Sequence, residues 1–564
     1  VALPILAVVF LALLAAAYRI YGGWVARQIG LDDRRKTPAE ARQDGVDFVP
    51  TRPFYLFGQH FSAIAAAGPI AGPILACQAF GWLPCLLWIS FGVVFIGAVH
   101  DFSALAASVR HDASSVAEIA RRYLGPRAGL AVMAFIWIAL VYVILAFTDI
   151  TAASFVSGTE EVRAAARTFN PGGAVAAASV LYLLVAVAMG VVQRFLAPPL
   201  WLVTAVFVPA TFGAAWAGTW LSHLLVLDHR TWSVFILAYC VVASIVPVQV
   251  LLQPRGYLGG FVLYTALGAG VLGIFFGGYA IEQPAFKTWD TGALTGSLFP
   301  FLFVTIACGA CSGFHGLVCS GTTSKQIARE SHCRPVGYGA MLAEAFVALI
   351  ALVTVVIVAG SGLEGLGPGT IYGNGIGRFL TLLVGEENLP FAVTFGAMAF
   401  STFVFDTLDV ATRLGRYLGQ ELLGWRGRSG ALGATLAMVA IPLYAALLAP
   451  KGSWSGFWTL FGASNQLLAA LTLVSMTVWL RRTGKRWLFA ALPAAFVLAI
   501  TVWALGVLLV GQARASSGLD VAAVNAASSF ALLGLAGFVV AVGLRSMGEA
   551  SGRAPADRPT GRGI

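Results

Sequence analysis

The chain has 564 residues, of which 59% are apolar and only 11% charged, against roughly 25% charged in an ordinary soluble protein. That balance excludes a soluble enzyme or a soluble binding module and describes an integral membrane protein. The net charge of +10 does not make a nucleic-acid surface, because the basic residues follow a topological pattern.

With about 20 apolar residues needed per span, fifteen membrane segments are expected, near 2–19, 58–79, 82–108, 128–157, 174–193, 197–217, 233–252, 258–280, 298–320, 337–360, 391–412, 431–449, 457–480, 487–510 and 522–544. Alternate connections divide the 35 basic residues into 28 and 7. Because Lys and Arg stay on the cytoplasmic side, this predicts an outside N-terminus and a cytoplasmic C-terminus. The first segment reads as a retained helix, since no basic region precedes it. The insert Arg19 to Pro53 reads as a cytoplasmic surface loop with little room for a domain.

The second segment holds FGQHFSAIAAAGPIAGPILACQ, where Gly68-Pro69 and Gly72-Pro73 interrupt a helix. Proline removes an amide donor, and hydrocarbon supplies no replacement. Such a break is tolerated where it lines a polar cavity, as in many secondary transporters. Segment three carries His100-Asp101, the best proton-relay candidate, with hydrogen bonding to neighbouring helices as the plainer reading. Residues 112–124 place Val116, Ile119, Ala120 and Tyr123 opposite Arg121 and Arg122, an amphipathic interfacial helix.

Segment seven is interrupted by Ser244, Pro247, Gln249 and Gln253. It runs opposite to segment two and follows it by five spans, which points to an inverted five-plus-five repeat. Segment nine aligns Cys308, Cys311, His315 and Cys319. Small-residue packing explains that stripe better than a metal site, and no metal is expected. Its end, Ser320, Thr322, Thr323 and Ser324, suits either a sodium ion or a helix cap. The seven cysteines are not expected to form a disulfide framework.

In segment eleven, Asp406, Asp409, Arg413 and Arg416 share one helical face, with Asp409 and Arg413 spaced to pair. They read as a cytoplasmic gate or ion-pair ladder. Asp149 and Glu344 are further intramembrane carboxylates. Asn465-Gln466 is expected to bond across helices, with Trp454, Phe457 and Trp458 as an outer interfacial anchor. The tail from Arg545 is expected to be disordered. No phosphate-binding G-x-x-x-x-G-K-[ST] pattern is present, so primary active transport by this chain is not expected.

The runs TPAEARQDGVDFVPT, FGQHFSAIAAAGPIAGPILACQ, GAVHDFSALAASVR, PVQVLLQPRGYLGG, FVTIACGACSGFHGLVCSGTTSKQ, GYGAML, TLDVATRLGRYLGQE and FGASNQLLAA resemble, in order, the carbon starvation protein A family of bacterial membrane proteins. The resemblance extends from about Tyr18 to Leu480. It implies a secondary transporter for peptides or pyruvate in the response to carbon starvation, with a core similar to the LeuT/APC superfamily. The family commonly reads His-His where this chain has Gln59-His60, often Asp where Gly256 follows Arg255, and fewer cysteines around Cys308 to Cys319. A role for a histidine pair is therefore not carried over, and His60 alone remains.

The expectation is an all-α polytopic transporter. Its parts are a first helix and loop (1–57), two inverted repeats (58–217 and 233–412), four accessory helices (413–544) and a tail (545–564). His60, Gly68, Pro69, Gly72, Pro73, Ser244 and Gln249 would bind the substrate, with freed amides receiving its carboxylate. His100 and Asp101, or Ser320, Thr322 and Thr323, would couple transport to protons or sodium. No cofactor and no nucleic acid are expected; the partners are the substrate and the bilayer. A channel, a nutrient sensor and a Cys/His metal protein are the alternatives.

Overall fold

The computed structural model of the protein describes residues 2–44, 47–157, 169–247, 250–363, 365–448 and 454–548. Among them the only β pairings are isolated bridges, Thr51 with Ile327 and Asp290 with Ser297. The rest of the regular structure is helix, the form that satisfies its own amides and carbonyls in hydrocarbon. Among the described residues, twelve helices are long and apolar enough to cross a membrane, or thirteen when Pro53–Ile64 and Gly68–Phe80, bent by 47°, count as one span. The other two of the fifteen expected spans are shorter pieces. His229–Ile245 has 17 residues, and residues 298–321 divide into Leu298–Thr305 and Gly313–Gly321. Gln249, Arg163, Arg167, Lys451 and the tail beyond 548 lie outside the described residues.

Contacts between helix ends sort the loops onto two faces. On one, Arg110 bonds the Ile29 carbonyl at 3.0 Å and Glu330 at 2.8 Å, and Lys485 bonds the same Ile29 carbonyl. On the other, Lys287 N reaches Phe80 O at 3.0 Å and Glu282 N reaches Val356 O at 2.7 Å. The first face holds the Arg- and Lys-rich loops and is called the basic side below.

A helix absent from the sequence reading, Pro368–Val384, leaves this sorting intact. Thr370 bonds Ser157 at 2.9 Å and Tyr279 bonds the Arg378 carbonyl at 2.9 Å. Ser157 and Tyr279 follow the outer ends of Pro126–Val156 and Leu252–Phe276, so the start and the middle of the added helix pack toward the face opposite the basic side. It folds back against the start of the 35-residue helix Leu389–Leu423. Gly373 permits the approach, since a Cβ there would lie 2.7 Å from that of Ala397.

The amphipathic piece forms Val116–Leu124, started by Ser115, whose hydroxyl accepts from Glu118 N at 3.2 Å. Val116, Ile119, Ala120 and Tyr123 are buried, as its pattern requires. Phe457 and Trp458 depart from expectation. Both are 2% exposed, and Trp458 Nε1 bonds the Thr305 carbonyl at 3.1 Å, so they serve the interior and are not an interfacial anchor. The side chain of Trp454 lies outside the described residues.

Candidate functional site

The break in the second span falls at Ala65–Ala67, one turn before the Gly-Pro pair. A proline acts on the residue four before it: Pro69 offers no amide to the Ala65 carbonyl, and its ring crowds that carbonyl. Pro73 projects the same effect onto Pro69, inside the restarted helix, and the chain continues to Phe80. Gly68 and Gly72 serve approach. A Cβ on Gly68 would collide with the Cys308 thiol, and one on Gly72 would lie 2.6 Å from Thr305 O.

Those contacts identify the counterpart of this break as residues 306–312, where the ninth span unwinds, and correct the expectation that it lies in the seventh. Backbone groups freed there find partners. Trp88 Nε1 bonds Ile306 O at 3.2 Å, Gln466 Nε2 bonds Phe303 O at 2.8 Å, and Phe314 N bonds Asn465 Oδ1 at 2.9 Å. Asn465 also donates to Ser312 Oγ at 3.1 Å. Both restarted helices, Gly68–Phe80 and Gly313–Gly321, open at the paired breaks, so two positive helix ends converge.

Beside the breaks lies a buried cluster from four spans. Asp101 accepts from His100 Nδ1 at 2.7 Å and from His315 Nδ1 at 2.9 Å. His315 Nε2 lies 3.4 Å from Glu344 Oε2, within ion-pair reach. His60 Nδ1 meets Thr323 Oγ1 at 2.9 Å, and its Nε2 lies 3.9 Å from the Cys319 thiol. All five ionisable residues are at most 1% exposed. Among the described residues, His100 Nε2 and both Glu344 oxygens are buried with no hydrogen-bond partner.

The Cys/His stripe disperses. Cys308 takes a bond from Asn465 at 3.3 Å, Cys319 donates to Asp101 O at 3.5 Å, and His315 turns to Asp101. Ser320, Thr322 and Ser324 donate to the carbonyls of Gly316, Val318 and Ser320, closing off their own helix as caps do. Only Thr323 of the four turns toward the cluster.

A second buried network lies elsewhere. Arg255, fully buried, bonds Asp406 through Nε at 3.0 Å and Asp409 through Nη1 at 2.6 Å. Tyr239 adds a bond to Asp409 at 2.9 Å, and Tyr182 bonds the Arg255 carbonyl at 2.7 Å. Arg413 therefore does not pair with Asp409. It donates to Ala243 O at 2.7 Å and Val246 O at 2.6 Å, while Arg416 donates to Ser244 O at 2.6 Å, closing the C-terminus of His229–Ile245. Ser244 Oγ meets Thr435 Oγ1 at 3.1 Å and belongs here, not with Gly68 to Pro73. Asp149 pairs with His229 at 3.1 Å.

The sequence reading missed the His315–Asp101 link and the role of Arg255. His315 was masked by the cysteines around it. Arg255 carries a signal, an arginine beside Pro254 in an apolar run, but falls between the expected segments 233–252 and 258–280.

The family described as Carbon starvation protein CstA matches residues 2–364 and 359–504. A Peptide transporter CstA of Helicobacter pylori is 34% identical over 561 residues, covering 86% of this chain and 79% of that protein. The Pyruvate/proton symporter BtsT of Escherichia coli is 32% identical over 588 residues, covering 87% of this chain and 80% of its own. Among solved structures, a manganese transporter of Eremococcus coleocola is similar at TM-score 0.43 and 12% identity, over 89% of this chain and 99% of that one. MhsT in complex with L-phenylalanine also reaches TM-score 0.43 at 12% identity, over 87% of this chain and 98% of that one. That likeness is too low to carry an argument. The sequence matches are not: the chain is a multi-pass helical membrane protein that belongs to the carbon starvation protein CstA family.

Proposed function

We propose that the protein is a proton-coupled importer of a small carboxylate-bearing nutrient, pyruvate or a short peptide, across the bacterial inner membrane, with the basic side cytoplasmic. The observation that carries this reading is the meeting of two broken helices at their breaks, directly beside the His60–Asp101–His315–Glu344 cluster. Relatives named for peptide transport and for pyruvate/proton symport support the substrate class and the coupling ion. Pyruvate and peptides both carry a carboxylate, and two converging positive helix ends suit one.

Proton coupling follows from donors and acceptors. With Nδ1 of His315 donating to Asp101, its Nε2 bears a proton only when the ring is cationic. That proton would then face Glu344; when Glu344 holds it instead, the ring is neutral. The two residues thus share one exchangeable proton next to the breaks, and Asp101, already bonded to two imidazoles, holds the geometry.

The inverted repeat is redrawn with different members. The first is residues 53–80, 82–110, 126–156, 229–245 and 252–276; the second is 298–321, 330–356, 389–423, 427–448 and 454–482. Reciprocal packing supports this. Span 126–156 packs on 229–245, 427–448 and 454–482, and its counterpart 389–423 packs on 427–448, 229–245 and 252–276. Likewise 82–110 packs on 313–321 as 330–356 packs on 53–80. The hairpin 171–220 is then an insertion, the helices 3–29 and 488–548 are accessory, and rocking of the broken pair against the rest gives alternating access.

Counterflow in proteoliposomes, with labelled pyruvate and with di- and tripeptides under an imposed pH gradient, tests the reading. Saturable exchange of one of them, with accumulation driven by inward protons, is expected. Exchange of none of them overturns it.

A further inference from the structure

An apolar cavity of about 450 Å³ lies between three helices at membrane depth. Leu11 and Tyr18 of Leu3–Arg19 form one wall, Phe61 of the first half-helix a second, and Leu342, Ala343 and Phe346 the third. The first helix turns Ile5, Val8 and Val9 outward, exposed, so this part of the surface faces lipid. At the basic end a cation closes the groove. The Arg334 guanidinium stacks on the Tyr18 ring at 4.5 Å and donates to the Tyr18 carbonyl at 2.6 Å. Its Nε is buried with no hydrogen-bond partner among the described residues.

We propose that this groove is a binding site for one anionic glycerophospholipid of the leaflet on the basic side, with an acyl chain along the cavity and its phosphate on Arg334. The dimensions agree. From Arg334 to Phe346 is twelve residues of helix, at most about 18 Å because the first turn is π-helical, and one leaflet of hydrocarbon is about 15 Å deep. The charge also agrees, because a guanidinium engages a phosphate through paired N–H donors and basic pockets between spanning helices on this side recognise anionic headgroups.

The site bears on transport through Phe61, which follows His60 and precedes Ile64, the last residue of the half-helix. An acyl chain against Phe61 touches the segment that moves in the proposed rocking; this consequence, unlike the binding itself, rests on the transporter reading.

Native mass spectrometry of the full chain, with phosphatidylglycerol and phosphatidylcholine added in equal amounts, tests the site without any transport assay. Wild type is expected to retain one phosphatidylglycerol in preference to phosphatidylcholine. Arg334→Gln loses that preference about tenfold, the effect of one charge-assisted contact, and Arg334→Lys recovers part of it. Ala343→Phe fills the groove and releases both lipids, and Leu11→Trp does the same from the opposite wall should the first variant not fold. No preference in wild type, or unchanged retention in the groove-filled variants, overturns the proposal. So does a changed oligomeric state of Ala343→Phe with lipid retention unaltered, which gives the groove to a second copy of the chain.

Discussion

The cluster around Arg255 and the cluster around Asp101 both bury charge between spanning helices, yet they differ in how completely that charge is partnered. Arg255 directs Nε and both Nη groups to Asp406, Asp409 and Tyr239, and its carbonyl takes a bond from Tyr182; Asp409 Oδ1 alone is left over among the described residues. The Asp101 cluster leaves His100 Nε2 and both oxygens of Glu344 without hydrogen bonds. Buried polar atoms without hydrogen bonds cost free energy, so these three atoms mark positions where a proton or a polar partner would be gained. The saturated network reads as a tie between Leu252–Phe276 and Leu389–Leu423, and the unsaturated one as a place where a proton comes and goes.

The comparison breaks first at Arg255. Arg255→Met leaves the buried Asp409 carboxylate without its cation and facing the half-buried Asp406, and is expected to destabilise by about 3–5 kcal/mol, measured by chemical denaturation in detergent. Adding Asp409→Asn should recover part of that loss; a loss below about 1 kcal/mol, the range of a surface pair, contradicts the tie. The paired breaks give the next effect. Gly72→Val pushes into Thr305 O and should cost about 1–3 kcal/mol while abolishing exchange. Gly256→Ala, with nothing within 4 Å of its Cβ position, should leave exchange intact and stability unchanged or raised by up to about 1 kcal/mol.

The smallest effect lies outside the membrane. Burial, with Arg110 and Arg35 nearby, lowers the Lys485 pKa to about 8. Because the folded state disfavours the charged amine, the cost is present below pH 8 and is relieved as pH rises toward the free-lysine value of about 10.4. Stability of wild type relative to Lys485→Met should therefore rise between pH 8 and 10, and acylation at pH 8 should label Lys485 ahead of Lys36 and Lys325. Equal labelling of the three contradicts it.

The break in the second span was legible because a Gly-Pro pair acts locally, although its position one turn upstream required the i−4 reach of Pro69. The break in the ninth span was not. Residues 306–312 contain no proline; the unwound IACGACS and its flanks are held by residues distant in sequence, Trp88 on the Ile306 carbonyl, Gln466 on the Phe303 carbonyl before it and Asn465 on the Phe314 amide after it. Segment seven shows the converse. Ser244 and Pro247 mark the end of a helix closed by Arg413 and Arg416, a local signal whose meaning depends on residues about 170 positions away. His100-Asp101 was visible as an intramembrane pair, but Glu344, equally visible, gained its place only when His315 bridged the two.

The central claim, that His315 and Glu344 share the coupling proton, is tested most directly by Glu344→Gln in proteoliposomes. The account predicts that the variant folds and still exchanges labelled substrate in counterflow, while accumulation driven by an inward proton gradient falls by about tenfold or more, the scale of losing one charge-assisted interaction. Accumulation equal to wild type at the same gradient would contradict it.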